Sequence, residues 1–371
     1  MSSPPNKIIK LNAMGPWNIR VASLMKLSSL YPLERTRISV KTAEPSIIAE
    51  RIVTCLRKLS IVAVYNEQKA TAIAETSGDV KFFIRFYFEE NNTIMVELQR
   101  KCGCTMVFRR AARVILRAAA GLEDANPSLT LRKRPNRPLL KRSERPSISI
   151  KDADEKEGVS LVTSENEQGG AAIALEFVDD MMRKDRLDAN LLGIESLLLL
   201  TKVDTVGNST ATIAARAVFG SRRGYNEIYE QVTRALEFPD DLCDAFTGRH
   251  AQRMRSHALT ILANSLEILL KHDKNELRAI MHRQGWLLEG NLLTKLLSEL
   301  SDSEIRPHDA HQAARCLNTI ITISSEGKAR AIELGAPSIV SGSQRVGYCC
   351  HSLLAYESEN AINSLGKIIK L

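Results

Sequence analysis

Basic side chains left unanswered by acids are the residues of this chain best placed to do chemistry, and that chemistry is anion binding. Between Thr93 and Ala120 the chain reads TIMVELQRKCGCTMVFRRAARVILRAAA. Arg109, Arg113 and Arg117 recur every fourth residue, so a helix carrying them lines them up along one side, with Arg110 beside the row. Arg100 and Lys101 come just before. No Asp or Glu occurs between Glu97 and Glu123. Arginines on a solvated helix usually alternate with acids that pair along the surface. Charge of one sign over such a length suits an anionic partner.

Other chemistries find thinner support. The seven cysteines, Cys55, Cys102, Cys104, Cys243, Cys316, Cys349 and Cys350, are odd in number and scattered, which argues for free thiols. His308 and His311 stand three apart with Cys316 nearby, a fragment of a zinc pattern without its remaining ligands. Asp179–Asp180 and Asp240–Asp241 are adjacent pairs. Neighbours on a helix point roughly 100° apart, so neither pair converges on one ligand. The chain holds no GxSxG elbow, no HExxH and no phosphate loop. A non-enzyme is therefore expected, with no cofactor and no small-molecule substrate.

The elements that must carry the arginines can be read from the spacing. TIMVELQ is β-branched and alternating, which predicts a strand. Gly103 marks a turn. Val107, Ala111, Val114, Ile115 and Ala118 then recur at helical spacing, and Gly121 suits a left-handed cap. Upstream, RVASLMKLSSL reads as a short amphipathic helix and Arg37–Lys41 as a first strand. Pro45 opens a helix with Ile48, Ile52, Leu56 and Leu59 on one face, widened by Val53; Thr42 or Glu44 would cap it, and Arg51, Arg57 and Lys58 lie on its other side. IVAVY, KATAIAE and VKFFIRFYF are further strands, separated by polar turns. The expected order is strand, helix, four strands, helix: an α+β layer with an antiparallel sheet and two helices.

Residues 36–119 resemble the kinase-associated 1 domain found at the C-terminus of some Ser/Thr kinases of the microtubule-affinity-regulating type. The matching features are a helix ending in LRKL, the strand FFIRFYF, and VELQRKCGCTMVFRRAARVIL, with its basic pair Arg100 and Lys101, then Gly103 and Phe108. The chain has no GxGxxG, HRD or DFG, so it departs from that family in having no kinase. The resemblance implies binding to acidic phospholipid through Arg100 and Lys101, and sometimes autoinhibitory contacts. Arg109, Arg110, Arg113 and Arg117 join that site on the strength of the helical stripe alone.

Charge is distributed unevenly. Residues 1–150 hold 26 basic and 12 acidic side chains, a net of +14; the remainder holds 25 and 31, a net of −6. From 123 to 170 the chain is rich first in Arg, Lys, Pro and Ser and then in acids, and reads as a linker. Arg132, Lys133, Arg134, Lys141 and Arg142 form two basic clusters, suited equally to nuclear import, to electrostatic tethering or to no role. Ser143 and Ser147 follow arginines, and phosphate there would subtract charge.

From Ala171 to the end the pattern is helical. The segment DAHQAARCLNTIITISSEGKARAIELGAPSIV resembles an armadillo repeat, with Ala314 and Leu317 on a packing helix, an SSEG corner, Ala331 and Ile332, and Gly335-Ala336-Pro337. Cys350 and Leu353 echo Ala314 and Leu317 one repeat later. The family's peptide-binding asparagine falls on Thr319 here.

The expected division is an extension over 1–35, a kinase-associated-1-like domain over 36–122, a linker over 123–170 and an all-α armadillo-like solenoid over 171–371. The expected function is an adaptor: a basic domain on an anionic membrane surface, and a solenoid holding a protein partner. No apolar run is long enough to span a membrane, and a cytoplasmic, peripheral location follows. The alternatives are a nuclear protein touching nucleic acid, and a module whose charges are satisfied internally.

Overall fold

A computed structural model of the chain describes residues 15–27, 32–41, 44–89, 93–122, 159–220, 226–237, 245–283 and 291–366. Alternation of apolar and polar residues builds a sheet from β1 (Met25–Lys26), β2 (Arg37–Lys41), β3 (Val62–Asn66), β4 (Thr71–Glu75), β5 (Lys81–Glu89) and β6 (Thr93–Cys102). Its order is β2-β6-β5-β4-β3, antiparallel throughout, with β1 added in parallel beside β5. Helices α1 (Pro45–Lys58) and α2 (Thr105–Ala119) complete the layer. The order strand, helix, four strands, helix matches the alternation read from the sequence.

The sheet's inner face is Phe82, Ile84, Phe86, Val96 and Leu98, all fully buried. Ile48, Ile52 and Leu56 of α1 are buried with them, at the spacing of an amphipathic helix. Glu44 takes the N-cap position of α1 without a side-chain capping bond to a backbone amide, its carboxylate accepting instead from the Ser46 hydroxyl at 3.4 Å. On α2 the buried stripe is Phe108, Ala111, Ala112, Ile115 and Ala119, turned about one residue from the expected Val107, Val114 and Ala118. The Phe108 ring meets Phe82 at 5.7 Å and sets that rotation.

RVASLMKLSSL corrects an expectation. Val21–Ser23 is a single 3₁₀ turn, and Met25 and Lys26 pair with Tyr87 and Phe88. The end of β5 runs past β4 and leaves backbone groups open, and those groups recruit β1. Pairing with them wins over weak helical periodicity.

Eleven helices follow among the described residues: α3 (Val159–Arg183), α4 (Leu187–Leu200), α5 (Val203–Val218), α6 (Asn226–Glu237), α7 (Ala245–His272), α8 (Lys274–Arg283), α9 (Leu292–Ser301), α10 (Pro307–Ile323), α11 (Ser325–Glu333), α12 (Ala336–Cys350) and α13 (Ser352–Gly366). α3 begins at Val159, inside the stretch whose composition reads as linker.

The chain divides into two compact units, Met1–Ser128 with Leu269–Leu371, and Leu129–Ile268. The helical half is thus shared between them. In the first unit the sheet and α8–α13 belong together. Gly347 allows α12 and α13 to cross closely, for a Cβ there would lie 2.7 Å from the Ala355 Cα. In the second unit Gly193 of α4 does the same against Met182 of α3, at 2.6 Å. Glu195 of α4 pairs with Arg253 of α7 at 2.7 Å.

The armadillo-like segment folds as α10, α11 and the start of α12. Ala314 and Leu317 are fully buried within α10, and Gly335 adopts φ +81° ahead of α12. The expected echo fails. Cys350 ends α12 and Leu353 lies beyond a break at His351, with 49% of its surface exposed. A repeat of the Ala314–Leu317 pair would need one continuous buried helix at that point.

Candidate functional site

The β6–α2 junction carries the basic residues. Gly103 has φ +90°, and a Cβ there would stand 2.7 Å from the Asp79 carbonyl oxygen, so this turn packs onto the β4–β5 turn in a way only glycine permits. At the far end Gly121 has φ +76°; its amide donates to Ala118 and that of Leu122 to Arg117, both at 2.9 Å, the hydrogen bonds of a Schellman cap.

Between these glycines Arg109, Arg113 and Arg117 lie exposed along α2, with Arg110 half-buried beside them. Arg117 sits in the last turn, where positive charge complements the helix dipole. Among the described residues no carboxylate pairs with Arg109, Arg110 or Arg113. Arg51, on the outer side of α1, reaches the Ala119 carbonyl at 3.5 Å and extends the basic surface past the end of the stripe.

The neighbours Arg100 and Lys101 part company. Arg100 stands opposite Phe82 and Cys102 opposite Lys81, so Lys101 is the extra residue of a β-bulge. Lys101 turns to the sheet's outer face, its Nζ 5.8 Å from the centre of the Phe83 ring, where the Arg85 guanidinium also lies at 4.7 Å. Arg100 instead folds back and donates to the Gly103 carbonyl at 2.7 Å. It approaches Cys104, the N-cap of α2. The amides of Val107 and Met106, and after them Arg110 and Arg100, hold that exposed thiol below its ordinary range. The structure therefore gathers Arg100 with Arg110 at one end of α2 and the exposed arginines along it, and sends Lys101 elsewhere.

The remaining sequence candidates fall out as follows. Arg132, Lys133, Arg134, Lys141, Arg142, Ser143 and Ser147 lie outside the described residues, as do Asp240 and Asp241. Asp179 pairs with Arg183 and Asp180 with Lys184, each along its own side of α3. A cavity of about 200 Å³ lies beside this pair, lined by Met182, Arg183, Asn190 and Arg234 among others. His308 and His311 do meet a third side chain, but it is His351 and not Cys316. Among the described residues no group of His, Cys, Asp and Glu is placed to hold a metal ion. No described helix is long and apolar enough to cross a membrane.

The sequence reading passed over two sets of polar contacts. One is buried Glu97, which accepts from the Glu34 amide at 2.7 Å and the Tyr87 hydroxyl at 3.1 Å, with Arg85 at 3.7 Å. The other lies where the sheet meets α12 and α13. Ser60 accepts from the Leu353 amide at 3.0 Å, capping α13 from the sheet side, and Ser352 donates to the Lys58 carbonyl at 3.1 Å. Neither has a short-range signal, since the partners are 63 and about 290 residues apart.

No family model, curated protein or solved structure matches the chain. Fold and site define a class only: an antiparallel sheet with two helices, one of them basic and exposed, followed by a helical region.

Proposed function

We propose that this chain is a non-enzymatic adaptor that attaches to acidic phospholipid through α2 and engages a protein partner through its helices. One observation carries the first half. Arg109 and Arg113 are exposed on one face of a well-capped helix, among described residues that offer them no carboxylate. The order of strands and helices supports the likeness to the kinase-associated 1 domain, and with it the lipid reading. The parting of Arg100 and Lys101 moves the weight of the site from that family's basic pair to the stripe. Exposed apolar side chains on the helices support the second half: Ile173 and Phe177 on α3, and Tyr348 and Tyr356 on α12 and α13, are each about half exposed or more. An armadillo-like stacking of the helices belongs to the same reading.

The internally satisfied alternative has its own observation, the packing of the sheet against α10, α12 and α13. Those contacts run through Ser60, Lys58, Arg57 and Glu75, and Arg109, Arg110 and Arg113 of α2 are not among them. The open stripe favours attachment.

Co-sedimentation of the full chain with acidic and with neutral vesicles tests this. A basic side chain near an anionic bilayer contributes about 1 kcal/mol, so Arg109→Glu, Arg113→Glu and Arg117→Glu together weaken binding by more than about a hundredfold. Equal sedimentation of variant and parent overturns the lipid site. A stronger preference for duplex DNA over acidic vesicles at the same salt transfers the stripe to nucleic acid.

A further inference from the structure

Three histidines meet inside the first unit. His308 and His311 come from α10, and His351 occupies the break between α12 and α13. His351 is fully buried and His311 nearly so. The His351 ring sits 5.0 Å from that of His308 and 5.4 Å from that of His311.

The hydrogen bonds assign every proton in two of these rings. The Leu354 amide, in the first turn of α13, donates to His351 Nδ1 at 3.1 Å. An amide can only donate, so His351 Nδ1 holds a lone pair and its proton is on Nε2. That Nε2 lies 3.0 Å from His308 Nδ1, which must accept. His308 then carries its own proton on Nε2, 3.2 Å from the Glu75 carbonyl oxygen of β4, which can only accept. The result is one directed chain from α13 through two imidazoles to the edge of the sheet, complete only when both rings are neutral.

A proton added to this chain has nowhere to go. On His351 Nδ1 it faces the Leu354 N–H. On His308 Nδ1 it faces the His351 N–H. Shifting the tautomer of His351 to accept from His308 only moves the conflict back to Leu354. Any single protonation therefore sets two donors against each other in a buried site.

We propose that His308 and His351 form a proton-sensitive latch holding the sheet to α10 and α13, closed when both rings are neutral and released by acidification.

The surroundings agree. Burial, the largest influence, holds His308 below its ordinary range and His351 well below; at His351 the nearby His308 and His311 add to it. His311, also buried and next to Arg315, is brought down to about 3. From the sheet, Glu75 and Asp79 face His308, as does Asp309 from α10; these carboxylates pull it back upward without overcoming burial. Glu75 is itself paired with Lys81 at 3.0 Å. From α12, Cys350 precedes His351, and burial pushes its thiol up to about 12, so it adds no charge; the Tyr65 hydroxyl beyond it is likewise pushed up by burial.

The sign follows. With folded values below the unfolded one, the closed state is fully favoured above about pH 6.5, and its advantage is lost progressively as the pH falls below that. Each ring that is neutral when closed and free to bind a proton when open shifts the opening equilibrium about tenfold between about pH 7.5 and about pH 5.5, or about a hundredfold for the pair.

Hydrogen exchange of the full chain, corrected for intrinsic rates, reads this directly. The expected result is a loss of protection of about a hundredfold on acidification in the segments 71–75 and 352–358, while the 93–102 segment stays protected. His308→Gln keeps an acceptor and a donor without a titrating group, and should cut the loss about tenfold. Unchanged protection at the lower pH overturns the latch, as does an equal loss across the whole sheet or an undiminished loss in the variant. Should the variant not fold, proton NMR titration of the native histidines decides. Protonation of both rings above about pH 6 with protection retained overturns the proposal, and protonation coincident with release supports it.

Discussion

At the scale of single residues, Glu97 is the group on which most depends for its size. Its carboxylate is 1% exposed and gathers the Glu34 amide, the Tyr87 hydroxyl and the Arg85 guanidinium on the sheet's outer face. It thereby ties the segment leading into β2 to the strand two elements away from it in the sheet. Replacing it with leucine removes the acceptor of the Glu34 amide and of the buried Tyr87 hydroxyl and leaves Arg85 without its carboxylate. Glu97→Leu should cost about 3 kcal/mol, read as a lower midpoint in denaturant, while Glu97→Gln, which still accepts from Glu34, should cost about half of that. Equal costs for the two variants would mean that shape, and not the polar contacts, matters at this position. Little of this was legible beforehand. In the sequence Glu97 is simply the last acid before a basic run, and its burial is decided by a residue 63 positions earlier. Gly103 and Gly121 were legible, because each punctuates a periodic segment and each takes a positive φ.

Among the elements, legibility followed the strength of local pattern. β2 to β6 could be read because β-branched and aromatic residues alternate in them. β1 could not, since two residues form a strand only when a neighbouring edge is vacant. The bounds of α8 are faint in the sequence because Leu277, Ile280 and Met281 give it only one turn of apolar spacing. The boundary between α12 and α13 is faint too, because their join at His351 falls inside the run GYCCHSLL, which has no Gly, Pro or Asn to mark it after Gly347. That join rests on Gly347, where α13 comes so close that a Cβ would lie 2.7 Å from the Ala355 Cα. Gly342 of the same helix has nothing within 4 Å of its Cβ position. Gly347→Ala must push two helices apart and should cost about 1–3 kcal/mol. Gly342→Ala should instead stabilise by up to about 1 kcal/mol, by restricting the unfolded chain and favouring helix. Thermal melting of both variants separates close packing from helix propensity. Matching shifts would show that the crossing is looser than its geometry.

For the whole molecule, the grouping of the chain changes how its charge should be read. By sequence the basic part ends and a separate helical part begins; in the structure residues 269–371 share a unit with the sheet. The sheet's partner is thus sequence-distant, and composition along the chain cannot reveal it. Among the described residues the polar contacts that join them include Ser60 with Ser352 and Leu353, the Lys58 carbonyl, the Glu75 carbonyl with His308, and the Arg57 guanidinium donating to the Tyr348 carbonyl at 3.4 Å. These contacts do not use Arg109 or Arg113 of α2, so the proposed attachment is compatible with the internal packing. They also mean that the sheet is not self-sufficient. Cut after Ser128, it would lose the partners of Ser60, Lys58 and Glu75 and uncover apolar surface that α10, α12 and α13 adjoin. Residues 1–128 alone should therefore melt below the sheet of the full chain, and should lose protection first in the last turn of α1 and in β4, with β5 and β6 holding longest. Mixing in residues 269–371 as a separate polypeptide should restore part of that protection. A fragment as protected as the parent at every one of these positions would make the first unit two independent domains that merely touch.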